Sequence, residues 1–218
     1  GATVSSGSFN WTVLGSSGTA RGLLKVSSGT LNLGTAANNN LIAGNFSNII
    51  FEGGTINIAG AFTRSLNTDN VQFNMSNGTM TVATVDVSGG GAIPFRLDNT
   101  AGSGTSFTMS GGTIVVRRPN GTAGYVNLAP TTNVTGGTLQ IGDTSTPAAS
   151  TIDINSSAPI WDFTVNNTNS PTARLVTNSL TVKHAVTIGA AGSGTLNANN
   201  LNITVGGGAT AGSGWTNN

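Results

Sequence analysis

The sequence predicts an all-β protein, a parallel β-helix (β-solenoid) with coils of about 25 residues. Three observations carry this expectation. The first is composition. Thr, Gly, Asn and Ser fill 114 of the 218 positions, whereas Lys, Glu and Gln together fill 5, so strong helix formers other than Ala and Leu are nearly absent. That excludes a helical bundle, a coiled coil and most α/β enzymes. The second is a recurring phrase: an apolar residue, two small ones, Gly, Thr, then apolar-x-apolar. The third is the alternation inside that phrase, which has the period-two pattern of a strand with one buried face.

The phrase occurs first as Val26-Ser27-Ser28-Gly29-Thr30-Leu31-Asn32-Leu33 and again as Phe51-Glu52-Gly53-Gly54-Thr55-Ile56-Asn57-Ile58. It returns at Met75–Val82, Met109–Val116 and Val134–Ile141, with a weaker copy at Gly194-Thr195-Leu196-Asn197-Ala198. Its threonines stand at 30, 55, 79, 113, 138 and 195, at intervals of 25, 24, 34, 25 and 57. The interval of 34 reads as one period plus a loop insertion near 87–105, centred on the Gly/Pro-rich Val87–Pro94. The interval of 57 reads as two longer turns, with a degenerate copy at Val165-Asn166-Asn167-Thr168.

Each part of the phrase has a physical role. Glycine supplies a positive φ at a corner, which other residues adopt only at a steric cost. Threonine restarts the strand, because β-branching suits a pleated surface. Leu31, Leu33, Ile56, Ile58, Ile114 and Val116 then share the inward face, and Asn32, Asn57 and Val115 the outward one. A second strand precedes the corner at Asn48–Phe51, Val71–Met75 and Ser106–Met109. A third segment fits Phe62 or Thr84–Val87. Asn32, Asn57, Asn74, Asn77, Asn127, Asn133, Asn155, Asn166, Asn197 and Asn202 lie in or beside strand phrases, where amides form ladders between coils or occupy left-handed corners. A propeller needs a longer period. A membrane barrel needs aromatic girdles that 12 unevenly spaced aromatics do not supply.

Residues 1–218 read as one continuous solenoid segment of a longer repeat protein, about nine coils and some 40 Å long. There is no signal-peptide pattern at its start. The formal net charge is +1, and only Arg117 and Arg118 are adjacent basic residues, so nucleic acid is not an expected partner. No apolar run is long enough for a membrane helix. No cysteine is present, which excludes disulfides and thiolate metal sites.

The acidic residues are Glu52, Asp69, Asp86, Asp98, Asp143, Asp153 and Asp162. Glycoside hydrolysis needs two facing carboxylates; Asp69 and Asp98 do not share a coil phase, and Asp143, Asp153 and Asp162 are spaced ten and nine apart, less than a coil, so no pair is evident and turn and cap roles are expected. Calcium between coils, through Asp69 or Asp98, is a weaker reading. His184 shares the parity of Leu180 and Val182, which places it on the outward face with them, or in the core if those face inward; one histidine defines no triad. Gly89–Gly91 and Gly206–Gly208 lack the Lys-Ser/Thr of a phosphate loop. Arg117-Arg118-Pro119 reads as a solvated turn. No catalytic, cofactor-binding or metal-binding residue is assigned, and no cofactor is expected.

Gly29-Thr30-Leu31-Asn32-Leu33-Gly34, Gly136-Gly137-Thr138-Leu139-Gln140-Ile141-Gly142 and above all Leu201-Asn202-Ile203-Thr204-Val205-Gly206-Gly207 with Gly214-Trp215-Thr216-Asn217-Asn218 resemble a known texture. It is that of the giant repeat-containing cell-surface adhesins of gliding Bacteroidota, which are exported by type IX secretion. The resemblance implies an extracellular, cell-surface filament with no catalytic residues. Its partners would be an external surface or polysaccharide and the secretion and outer-membrane anchoring machinery. Two rival classes remain. A carbohydrate-active β-helix enzyme, a polysaccharide lyase or glycosidase, needs carboxylates converging on adjacent coils. An ice-binding solenoid needs a regular outward threonine array. Only Thr79-Met80-Thr81 and Thr144-Ser145-Thr146 give Thr-x-Thr, and unequal coil lengths argue against a flat lattice.

Overall fold

The computed structural model describes residues 1–87, 92–100, 102–166, 168–189 and 194–206. These contain 18 strands and no helix. One sheet stacks Thr3–Ser5, Thr30–Leu33, Ser47–Ile58, Val71–Val82, Ser106–Val116, Thr131–Ile141, Ile160–Val165, Leu180–Ile188 and Ile203–Val205 in that order, with Gly22–Val26 also paired to Ser47–Ile58. The other stacks Trp11–Val13, Leu41–Ala43, Phe62–Arg64, Phe95–Leu97, Ala123–Asn127, Thr151–Ser156, Thr172–Leu175 and Thr195–Asn197. Every strand pairs in parallel with its counterpart one turn away, for example Ile56 with Met80 and Met80 with Ile114. The chain is therefore a parallel β-solenoid.

The strands before and after each glycine corner are one bent strand in the central turns. Ser47–Ile58 is continuous, with register shifts between Phe51 and Thr55 where Gly53 and Gly54 turn it. In the turn before it the strand is broken, into Gly22–Val26 and Thr30–Leu33. Glycine is required twice over at this corner. Gly29, Gly54, Gly78, Gly112 and Gly137 all have φ between 77° and 91°. They are also stacked, so that a Cβ on Gly54 would lie 2.6 Å from the Gly29 carbonyl oxygen, and one on Gly78 2.6 Å from that of Gly54.

The core is a column between the two sheets. Leu31, Ile56, Met80, Ile114, Leu139 and Phe163 occupy one inward rank, all buried. From the second sheet, Leu41, Phe62, Phe95, Tyr125, Ile154 and Leu175 form the opposing rank. Aromatic rings concentrate mid-rod: Phe73 and Phe107 stack at 5.3 Å, and Phe95 and Tyr125 at 4.8 Å. Burial pushes the Tyr125 phenol far above its ordinary pKa, while Asn127 donates a hydrogen bond to its oxygen.

Three expectations need correction. Of the two candidates for a third segment, Phe62 opens the strand Phe62–Arg64, but Thr84–Val87 is not a strand. Ala83, at φ 57°, turns the chain out of the sheet, and Phe95–Leu97 takes the place beside Phe62–Arg64. The extra chain of the 34-residue interval thus runs from 83 to 94, between strands; its residues 88–91 lie outside the described set. Second, Thr195 does not continue the threonine series. Thr195–Asn197 belongs to the other sheet and pairs with Thr172–Arg174. Third, Val165–Thr168 is not the intermediate copy. Asp162 pairs with Thr138, and Ala185 with Asp162, so Ile160–Val165 and Leu180–Ile188 carry the series on.

Candidate functional site

The stacked register sorts outward side chains into ranks. Beyond the glycine corner, the first rank runs Thr3, Thr30, Thr55, Thr79, Thr113 and Thr138, then Asp162 and Ala185. The second runs Ser5, Asn32, Asn57, Thr81, Val115, Gln140, Thr164 and Thr187. From Thr3 to Thr138 in one rank, and along the whole of the other, no residue is charged or aromatic. The first rank forms because five of its six threonines follow the positive-φ glycine and so begin the second half of each bent strand.

None of the six threonine hydroxyls has a hydrogen-bond partner among the described residues. Elsewhere threonines do: the Thr105 hydroxyl donates to the Asp69 carbonyl at 2.7 Å, and that of Thr146 to the Arg117 carbonyl at 2.7 Å. Thr81, in the second rank, is also unpartnered although only 5% exposed. The amides of that rank behave as expected. Asn57 donates to Asn32 at 2.8 Å, and Asn32 to Ser5 at 3.3 Å. Asn74 with Asn48 and Asn178 with Asn155 repeat the ladder on other faces. Asn77, Asn166 and Asn197 bond backbone amides at corners, and Asn127 is fully buried.

The carboxylates tie turns together. Glu52 pairs with Lys25 at 2.9 Å, Asp143 with Arg117 at 2.6 Å and Asp153 with Arg174 at 2.7 Å. Asp98 lies between Arg64 (2.6 Å) and Arg96 (2.8 Å). Burial raises the Asp98 pKa, but hydrogen bonds from Arg96 and Arg64 outweigh it and hold the carboxyl below the ordinary value. Glu52 is held low by its hydrogen bond from Lys25. Two guanidinium groups on Asp98 make it a poor cation ligand. Asp69 accepts the Leu66 amide at 2.6 Å in a turn, and Asp86 accepts that of Val87. Among the described residues, no three His, Asp or Glu side chains gather as a metal site. Arg117 and Arg118 reach to neighbouring turns, Arg117 to Asp143 and the Thr84 carbonyl and Arg118 to the Ser145 carbonyl. Gly89–Gly91, Gly207, Gly208 and the tail from 207 to 218 lie outside the described residues.

The chain matches no protein-family model, no curated protein and no solved structure.

The structure decides between the two places open to His184. Leu180 and Val182 do face the core, yet a register shift opposite Lys183 and His184 turns His184 outward, with its side chain 51% exposed. Its Nδ1 lies 2.7 Å from Asp162 Oδ1, which also accepts the Ala185 amide, and its ring stacks on Trp161 at 5.5 Å. This cluster marks where the glycine corner and the threonine rank stop. Its sequence signal was available: one period beyond Thr138 the alternation persists in Ile160-Trp161-Asp162-Phe163-Thr164-Val165, but the glycines are gone.

Proposed function

We propose that this chain is a structural and adhesive segment of a secreted cell-surface filament, contacting an external surface or polysaccharide through its outward ranks. The observation that supports this reading best is the run of six unpartnered threonine hydroxyls, held in register on a rod. Such a row offers many equal, weak contacts along one line. Adhesion under load uses that arrangement, since multiple engagement multiplies weak affinities. The engagement of Glu52, Asp98, Asp143, Asp153 and Asp162 by cationic partners or by His184 fits the same reading. Carboxylates fixed as staples between turns serve stiffness, and a carboxyl held low, such as Asp98, is a poor proton donor.

Immunogold labelling of intact source cells with an antibody to this segment tests the proposal. Label strung along surface filaments is the expected result. Antigen found only as a short free chain in the medium, together with polysaccharide cleavage by the purified protein, would replace it with the carbohydrate-active reading.

A further inference from the structure

We infer that the face carrying the threonine rank binds ice, that is, the ordered water of a crystal surface. This goes beyond the filament reading and holds whether or not the segment sits on one.

The ligand class follows from what the face contains and lacks. From Thr3 to Thr138 and from Ser5 to Gln140, the two ranks hold no charge, so an ionic ligand has nothing to pair with. They hold no aromatic ring on which a sugar could stack. Each threonine presents a methyl group and a hydroxyl with no internal partner. Thr81, two residues along the strand from Thr79, adds a further hydroxyl with no partner among the described residues.

Periodicity then selects among ligands. A single hydroxyl bonds liquid water as well as ice, so it discriminates nothing. A row does discriminate, because its hydrogen bonds form together only with a partner that has the same repeat. The repeat here is the strand spacing of the sheet, about 4.8 Å, which lies near an oxygen repeat of hexagonal ice. It is fixed by backbone pairing, and threonine's restricted χ1 leaves little freedom to lose on contact.

The sequence objection to such a lattice was unequal coil length, and the register removes it. Thr79 pairs directly with Thr113 despite 34 intervening steps of chain, because the additional residues leave after Val82 and rejoin at Phe95 in the other sheet. The second Thr-x-Thr of the sequence is not on this face: Thr146 is buried and committed to the Arg117 carbonyl.

The test is adsorption of the whole chain, fluorescently labelled at its amino terminus, into slowly grown polycrystalline ice. Three variants are compared after circular dichroism shows them folded. The double variants Thr55→Tyr/Thr113→Tyr and Thr55→Val/Thr113→Val alter the face, the second without added bulk. Thr108→Tyr alters the neighbouring face as a control. The expected result is enrichment of the wild type and of Thr108→Tyr in ice, with about a tenfold loss for the tyrosine pair and a smaller loss for the valine pair. Exclusion of the wild type from ice, as for an ordinary solute, overturns the inference. So does equal enrichment of all variants, which would place binding elsewhere. Retention on crystalline cellulose or chitin powder without enrichment in ice overturns it in favour of a polysaccharide lattice. The location of the protein on cells, read by immunogold, is a separate result and bears only on the filament.

Discussion

At the residue scale, the corner glycines separate two costs that are usually confounded. Gly54 has φ 78° and a stacked neighbour, with the Gly29 carbonyl oxygen 2.6 Å from where a Cβ would be. Gly102 has φ 84° and nothing within 4 Å of that position. Gly102→Ala should therefore lose only the left-handed backbone term, about 1 kcal/mol. Gly54→Ala adds a clash with backbone that the neighbouring turn cannot relieve, and should lose about 2–4 kcal/mol. Urea unfolding of both variants measures the difference; equal losses would mean that the stacked corner relaxes freely. Core residues follow a different rule. Phe73 touches the rings of Phe51, Phe62, Phe95 and Phe107. Phe73→Ala should cost about 3–5 kcal/mol by transfer and cavity terms together, read from the same unfolding curves.

At the element scale, strand pairing is set by backbone and glycine corners, while charged side chains fasten one turn to the next. Asp98 is the clearest staple, because it neutralises both Arg64 and Arg96. Its pKa is lowered on folding from an ordinary value of 3.8, so the stability it contributes is present above that value and is lost as pH falls through the lower folded value. Stability should hold from neutral pH to about pH 4 and then decline. Asp98→Asn should flatten that acid limb and cost about 1–2 kcal/mol at pH 7, a figure reduced from the fully buried case because the pair is partly solvated. Denaturant midpoints from pH 3 to 7 check both. The strands themselves were legible in the sequence wherever the phrase was intact, since Gly, Thr and period-two alternation each have one local physical cause. The staples and the aromatic column were not. Arg64 and Asp98, or Phe62 and Phe95, sit at irregular separations because the connection from 83 to 94 intervenes, and only the closed register brings them together. The threonine rank was half legible. Thr30, Thr55, Thr79, Thr113 and Thr138 stood out as strand restarts, but their alignment required the knowledge that the additional chain leaves between strands. The face of His184 was left open by alternation because a bulge cancels it, and nothing in Lys183-His184 announces one.

At the scale of the whole molecule, a solenoid has no single core that all parts share. Each turn packs on its neighbours, and stability behaves as a chain of nearest-neighbour terms. The central turns have neighbours on both sides: Ile49, Phe73 and Phe95 are completely buried. In the isolated segment of residues 1–218, the first turn has a neighbour on one side only. Thr3–Ser5 is exposed throughout, and Val4, which continues the inward rank of Leu31 and Ile56, is 53% exposed, as Phe9, Leu14 and Leu23 are to a similar or greater degree. An end turn of this kind can detach without disturbing the rest, at the cost of one interface. Amide hydrogen exchange on the isolated segment should therefore be graded. Amides of Ser47–Ile58, Val71–Val82 and Ser106–Val116 should exchange slowest, and those of Thr3–Ser5 and Trp11–Val13 at least about a hundredfold faster. The gradient should persist under mild urea, with protection lost from the first turn inward. Uniform exchange along the rod would show instead that the turns open as one cooperative unit, and that nearest-neighbour stacking does not govern this solenoid.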